Sequence, residues 1–199
     1  MMRRVKRIIA VLAVTVASCT APAPAPVQET QNESPRTETA APSTATTAPP
    51  VELSQRCTNA QHGFTISYPD GWHTNDGSVI PACSAFDPQP VDIPRNSEIP
   101  FGIAAMVNVQ QTSVQDLTRT SQWERVLSSS ETTVDGKKAT RVEIEATGEG
   151  LAERGMRTVR YVVDLGGGRA LVASTNATGE SYKSNQEMLA RMVESIDLP

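Results

Sequence analysis

The side chains of this 199-residue chain that could do more than pack are few: three cysteines, two histidines and one close pair of glutamates. Cys57, His62, His73 and Cys83 together carry the sulfur and imidazole donors of a zinc centre. Their spacing lacks the close ligand pairs of zinc modules. The rival chemistry is a bond between the two sulfurs, which two cysteines of one domain form in an oxidising compartment. Closing that loop would contribute about 3.5 kcal/mol by restricting the unfolded chain. A Cys57–Cys83 disulfide is the expectation, with no metal and no cofactor.

Glu143 and Glu145 could pair as acid and base, but two residues apart on one strand they point to the same side. Beside Arg141 they read as a solvated face. Gly166-Gly167-Gly168 lacks the Lys-Ser/Thr of a phosphate loop and reads as a turn. No Gly-x-Ser-x-Gly elbow is present, and neither histidine stands near an obvious nucleophile in sequence. Catalytic residues are expected to be none. As binding residues, Trp72, His73 and Trp123 are the candidates. Against that role, Trp72 is expected to seal a corner of the core with His73 on the surface, since neighbours on a strand face opposite ways. Trp123, just beyond a helix, also reads as a packing residue.

The elements that would hold these residues begin after a leader. Arg3, Arg4, Lys6 and Arg7 precede an uncharged, mostly apolar run from Ile8 to Ala17. That run is short of the ~20 residues needed to span a bilayer and fits a signal-peptide core. It ends in Val16-Ala17-Ser18-Cys19, which resembles the lipobox of bacterial lipoproteins. The resemblance implies cleavage before Cys19, a diacylglycerol thioether on its sulfur, and an extracytoplasmic, membrane-anchored protein. Two acyl chains hold where one is marginal, at about 0.8 kcal/mol per buried methylene. With the leader gone, 14 Lys and Arg stand against 22 Asp and Glu, a charge of about −8. A chain this acidic, with no basic cluster, is a poor candidate for nucleic acid or for anionic lipid headgroups.

Thr20 to Pro50 is rich in Pro, Thr and Ala, and Val27 is its only larger aliphatic residue. Such a segment buries too little surface to offset its ordering entropy. Residues 19–50 are therefore expected to be a disordered linker reaching roughly 30 Å as a coil. Asn32-Glu33-Ser34 and Asn176-Ala177-Thr178 match the N-glycosylation pattern, which carries little weight in a bacterial lipoprotein.

Residues 51–199 are long enough for one domain. Phe64 to Tyr68 alternates as a half-buried strand, with Pro69, Asp70 and Gly71 at the second, third and fourth positions of a type I turn. Trp72 to Thr74 resumes in extended form, and Ser84 to Asp87 is a short strand. Pro88 to Pro100, with four prolines, is a loop. Phe101 to Gln110 is apolar on both sides and should be covered on both. Ser113 or Thr112 caps a helix that should end near Gln122, with Asp116 in a capping-box position. A strand from Val126 to Val134, the turn Asp135-Gly136, and Ala139 to Ala146 form a hairpin. In it Val142 and Ile144 face inward, and Arg141, Glu143 and Glu145 outward. Met156–Leu165 and Arg169–Ser174 complete a four-stranded meander. A last helix from about Glu180 gathers Tyr182, Leu189, Met192, Val193 and Ile196 on one face.

The order gives an α+β class: an antiparallel sheet of six to seven strands flanked by helices. The stretches FTISYPDGW, TVDGKKATRVEIEA and MVESIDLP, spread over residues 60–199, resemble the PsbP-like superfamily, including the Lpq-type lipoproteins of actinobacteria. This chain departs from the shorter members in its Cys57–Cys83 segment and proline-rich loop. The resemblance implies a binding or assembly module for an envelope protein, glycan or lipid. A small extracytoplasmic hydrolase without a visible motif is the alternative.

Overall fold

The computed structural model describes residues 51–96, 102–177 and 179–199. The leader, Cys19, the linker and residues 97–100 of the proline-rich loop lie outside the described residues. Nine strands and two helices follow in order: β1 Gln55–Asn59, β2 Phe64–Tyr68, β3 His73–Thr74, β4 Ala85–Asp87, β5 Ala105–Gln110, α1 Val114–Thr118, β6 Glu124–Val134, β7 Lys137–Ala146, β8 Arg157–Gly166, β9 Arg169–Ala177 and α2 Gly179–Glu194. The fold is α+β. One antiparallel sheet has the order β3-β4-β5-β9-β8-β7-β6, and a second consists of β1 and β2 alone.

The meander is written in its turns. Asp135 and Gly136 both sit at positive φ, 46° and 71°, as a two-residue hairpin with the twist of its strands requires. Gly167 and Gly168 do the same between β8 and β9. The turn after β2 differs from the expected type I. Trp72 N–H donates to Pro69 O at 3.3 Å, so Pro69 is the first residue and Gly71 the third, with φ 76°. A third-position residue at positive φ makes this a type II geometry, which suits glycine there.

Two faces of the large sheet are covered. On one, α2 lays Tyr182, Leu189, Met192 and Val193 against the sheet, in a core with Phe64, Ile66, Phe86, Val107, Val159, Val163 and Leu171. Burying a side chain such as Phe64 or Leu171 contributes about 2–3 kcal/mol. On the other, α1 sets Val114 and Leu117 over Val162, Ala170 and Val172. Ser113 caps α1, its Oγ accepting Asp116 N–H at 3.2 Å and donating to Asp116 Oδ2 at 2.7 Å. The helix stops at Thr118 instead of near Gln122, because Arg119 is already extended at ψ 134°. Arg160 finishes that end by donating to Leu117 O at 2.9 Å, as a cation at a helix C-terminus should.

The covered faces correct the expected polarity of β7. Val142 and Ile144 are buried as foreseen. Arg141, Glu143 and Glu145, however, lie on the α2 side of the sheet with Ala139 and are only 17–22% exposed. Alternation identifies two faces, but it cannot say that both will be packed on. The strand expected from Phe101 begins at Ala105, and Met106, on its α1 side, is only partly buried. The strand expected from Val126 begins at Glu124, and β9 runs on to Ala177.

Cys57 of β1 is bonded to Cys83, with the sulfurs 2.02 Å apart. The bridge fastens the small sheet to the segment before β4. Buried Asn59 reinforces it, donating to Ala82 O at 2.7 Å and accepting His62 N–H at 2.9 Å. Both sulfurs are thereby removed from metal chemistry.

Candidate functional site

The exposed aromatic chemistry of this domain collects at the start of β6. Leaving α1, the chain turns at Ser121, where Glu124 N–H donates to Ser121 O at 3.1 Å and Ser121 N–H to Glu124 Oε2 at 2.9 Å. This reciprocal arrangement fixes Trp123 between them, and Trp123 N–H donates to Ser121 Oγ at 3.3 Å. Trp123 O then accepts both Thr147 N–H at 2.9 Å and Thr147 Oγ1–H at 3.0 Å. The backbone is held on both sides while the residue remains 41% exposed. The packing role expected for Trp123 is therefore corrected: a seal would be dry, and this ring is a wall.

The ring borders a cleft of about 340 Å³ whose floor is Ile144, Ala146 and Met156, with Leu151 and Thr158 at its sides. The β7–β8 loop forms its rim. Ala146 N–H donates to Met156 O at 2.9 Å and Gly155 N–H to Ala146 O at 3.0 Å, so the loop is closed at its base. Gly150 passes directly against Trp123; a Cβ there would stand 3.3 Å from the indole's Cβ and Cγ. Any side chain there would push the ring or the loop by a few tenths of an ångström. Leu151, next in the chain, is fully exposed at the side of the cleft.

A second, open cleft of about 530 Å³ lies on the same side of the sheet, further along β6. Glu131, Thr133, Lys138, Thr140 and Asp164 line it, with Val114 of α1. Its chemistry is polar and carries both signs of charge.

The other candidates fall elsewhere. Trp72 is half-buried and packs on the main core, and exposed His73 stands at the β3 edge. Neither lines these two clefts. The β7 carboxylates are ion-paired: Glu143 with Arg141 at 3.2 Å, and Glu145 with Arg125 at 2.7 Å and Arg157 at 3.4 Å. The hydrogen bond from Arg125 first, aided by Arg157, holds the Glu145 carboxyl below its usual range. Two paired carboxylates suit structure better than proton transfer. Among the described residues, no group of three or more His, Cys, Asp or Glu could hold a metal. Their helices include none long and apolar enough to cross a membrane.

Between α2 and the sheet, the hydroxyls of Thr175 and Tyr182 are buried without a hydrogen-bond partner. Burial first, and the Glu143 carboxylate second, raise the Tyr182 pKa far above its ordinary value. These groups do not open onto either cleft.

Sequence reasoning named Trp123 and missed its surroundings. Gly148, Gly150 and Gly155 around a leucine were the available signal, because glycines so dense mark a close backbone approach.

No protein-family model matches the chain, and no curated protein sequence matches it. Among solved structures, the chain is similar to the cyanobacterial PsbP protein CyanoP of Synechocystis, at 12% identity. That superposition covers 77% of this chain and 98% of CyanoP, with a TM-score of 0.46. At that level no residue or role passes from one protein to the other.

Proposed function

We propose that this chain is an outward-facing bacterial lipoprotein, anchored through diacylated Cys19, whose domain is a non-catalytic binding module of PsbP-like type. The leader ending in Val16-Ala17-Ser18-Cys19 supports the anchor, and the stretches FTISYPDGW and MVESIDLP support the family. One observation carries the binding role: a backbone-pinned Trp123, 41% exposed, beside an apolar cleft. Rigid aromatic walls of this kind contribute contact area at small entropic cost. A tether of roughly 30 Å keeps the domain near other membrane-bound partners and lets modest affinity suffice.

The test follows indole emission in the purified full chain and in its Trp123→Phe variant. Short envelope glycans, phospholipid vesicles and peptides serve as probes. A binding module shows saturable emission changes that disappear with Trp123 and are unaffected by alanine at both His62 and His73. Turnover of an ester, peptide or glycan above a heat-treated control, abolished by changing either histidine, would instead establish a hydrolase.

A further inference from the structure

The two clefts share one neighbour, the strand β6, and β6 has an open side. It ends the sheet order, so β7 pairs with one edge and no described strand pairs with the other. Eleven residues long, it is the longest of the described strands, and nine consecutive residues from Arg125 to Thr133 are exposed. Natural edge strands are commonly blunted by lysine or proline. β6 has neither; its protection is the irregularity between Val126 and Ser128. An edge like this presents unmet N–H and C=O groups to an extended chain.

The clefts add side-chain selection to that backbone edge. Glu124 pairs with Ala146 and Glu131 with Thr140, which places both glutamates on the α1 side of the sheet. One lines the Trp123 cleft and the other the polar cleft. Allowing for the irregularity, they lie roughly 20 Å apart along the strand at about 3.3 Å per residue. The carboxylates of Glu124, Glu131 and Asp164 line the clefts, and none of them forms an ion pair with a described residue. Among the described residues lining the two clefts Lys138 is the one cation; Arg154 stands with Arg125 in a neighbouring hollow, and Arg160 is engaged with Leu117 O. The face is acidic beside an apolar slot.

We propose that β6 takes up an extended, cationic segment of a partner protein as an added strand. A bulky apolar side chain of the partner enters the Trp123 cleft, and a Lys or Arg about six residues away meets Glu131 and Asp164. This rests on the binding role assigned to the Trp123 cleft and narrows its ligand to protein. Other occupants fit less well. A second copy pairing β6 with β6 would bring the same acidic faces together. The linker is crowded with proline, which lacks the N–H that strand addition needs, and holds Arg36 against Glu29, Glu33 and Glu38.

The experiment selects a displayed library of random nonapeptides on the immobilised full chain, with the Trp123→Ala chain as the counter-selection. Recovered sequences should pair a bulky apolar residue with Lys or Arg at positions of the same parity. The best peptide is then synthesised with alternate backbone amides N-methylated, in two complementary sets. Strand addition uses one edge of the peptide, so one set abolishes binding and the other leaves it within about twofold. Amide exchange slows in β6, and Glu131→Gln and added salt both weaken the complex. Trp123→Ala weakens it about tenfold or more.

Failure to recover peptides, equal effects of the two methylated sets, or unchanged β6 exchange would overturn the proposal. So would a concentration-dependent dimer protected at β6 without peptide. If glycans or vesicles still change Trp123 emission, the cleft remains a binding site and only strand addition falls. If no probe changes it, both fall together.

Discussion

Asn75 and Ala85 are bonded in both directions. Asn75 N–H donates to Ala85 O at 3.4 Å, and Ala85 N–H donates to Asn75 Oδ1 at 3.0 Å. The same side-chain oxygen accepts Ser84 N–H at 3.0 Å, while Nδ2 donates to Ile80 O and Pro81 O. One buried amide thus satisfies the backbone of a whole loop. Asn75→Ala strands those groups and is expected to cost about 3 kcal/mol or more. Urea unfolding measures it; a change below about 1 kcal/mol would contradict this account.

Removing the disulfide should loosen the small sheet before the large one. Cys57→Ala with Cys83→Ala is expected to lower stability by about 2–4 kcal/mol. Amide exchange should accelerate most in β1 and β2, where the bridge holds the hairpin. Non-reducing peptide mapping of the native chain should show the one linked pair.

Tyr182 predicts an alkaline limb. Its folded pKa is raised, so the folded protein keeps this proton at a pH where the unfolded chain, with a value near 10, loses it. The stability linked to it is complete below pH 10 and is lost as pH climbs toward the folded pKa. Tyr182→Phe should flatten that decline between pH 9 and about 11.5. At neutral pH the hydroxyl has the Glu143 carboxylate nearby but no well-formed hydrogen bond, so the substitution should change stability by about 1 kcal/mol or less. Equal alkaline slopes for both proteins would refute the assignment.

Gly150→Val tests the wall of the cleft. Its Cβ would stand 3.3 Å from the indole, so the ring or the loop must move. Stability should fall by about 1 kcal/mol, with an altered Trp123 emission and weaker ligand response. An unchanged spectrum would show that the contact is not constraining.

Lipidation is checked at Cys19 directly. The wild-type chain should incorporate a fatty-acid analogue and partition into detergent, and Cys19→Ala should do neither. Unlabelled wild-type protein would remove the basis for the anchor.

Turns and hairpins were legible because their signals are local. Asp135-Gly136 and the triple glycine need nothing beyond their own φ angles. β1 was not anticipated, since Gln-Arg-Cys-Thr-Asn has no apolar alternation; it pairs with β2 and is fastened through Cys57. The half-burial of Glu143 and Glu145 depends on α2 arriving from elsewhere in the chain. Trp123 was read from its neighbours in sequence, and what decides its exposure is a loop more than twenty residues away.

The position of β9 has a consequence for assembly in time. It lies between β8 and β5, with Met106 opposite Ser174, so the earlier strands attach to the last strand of the meander. Two of the β6–β9 hairpins close over two-residue turns and the third over the ten-residue loop 147–156, whereas joining β5 to β9 must close the whole meander between them. Such non-local pairing is intrinsically slow. This topology predicts a sheet that grows against the direction of the chain, with the C-terminal meander as template and the N-terminal strands, with the cysteines they bring together, arriving on it late.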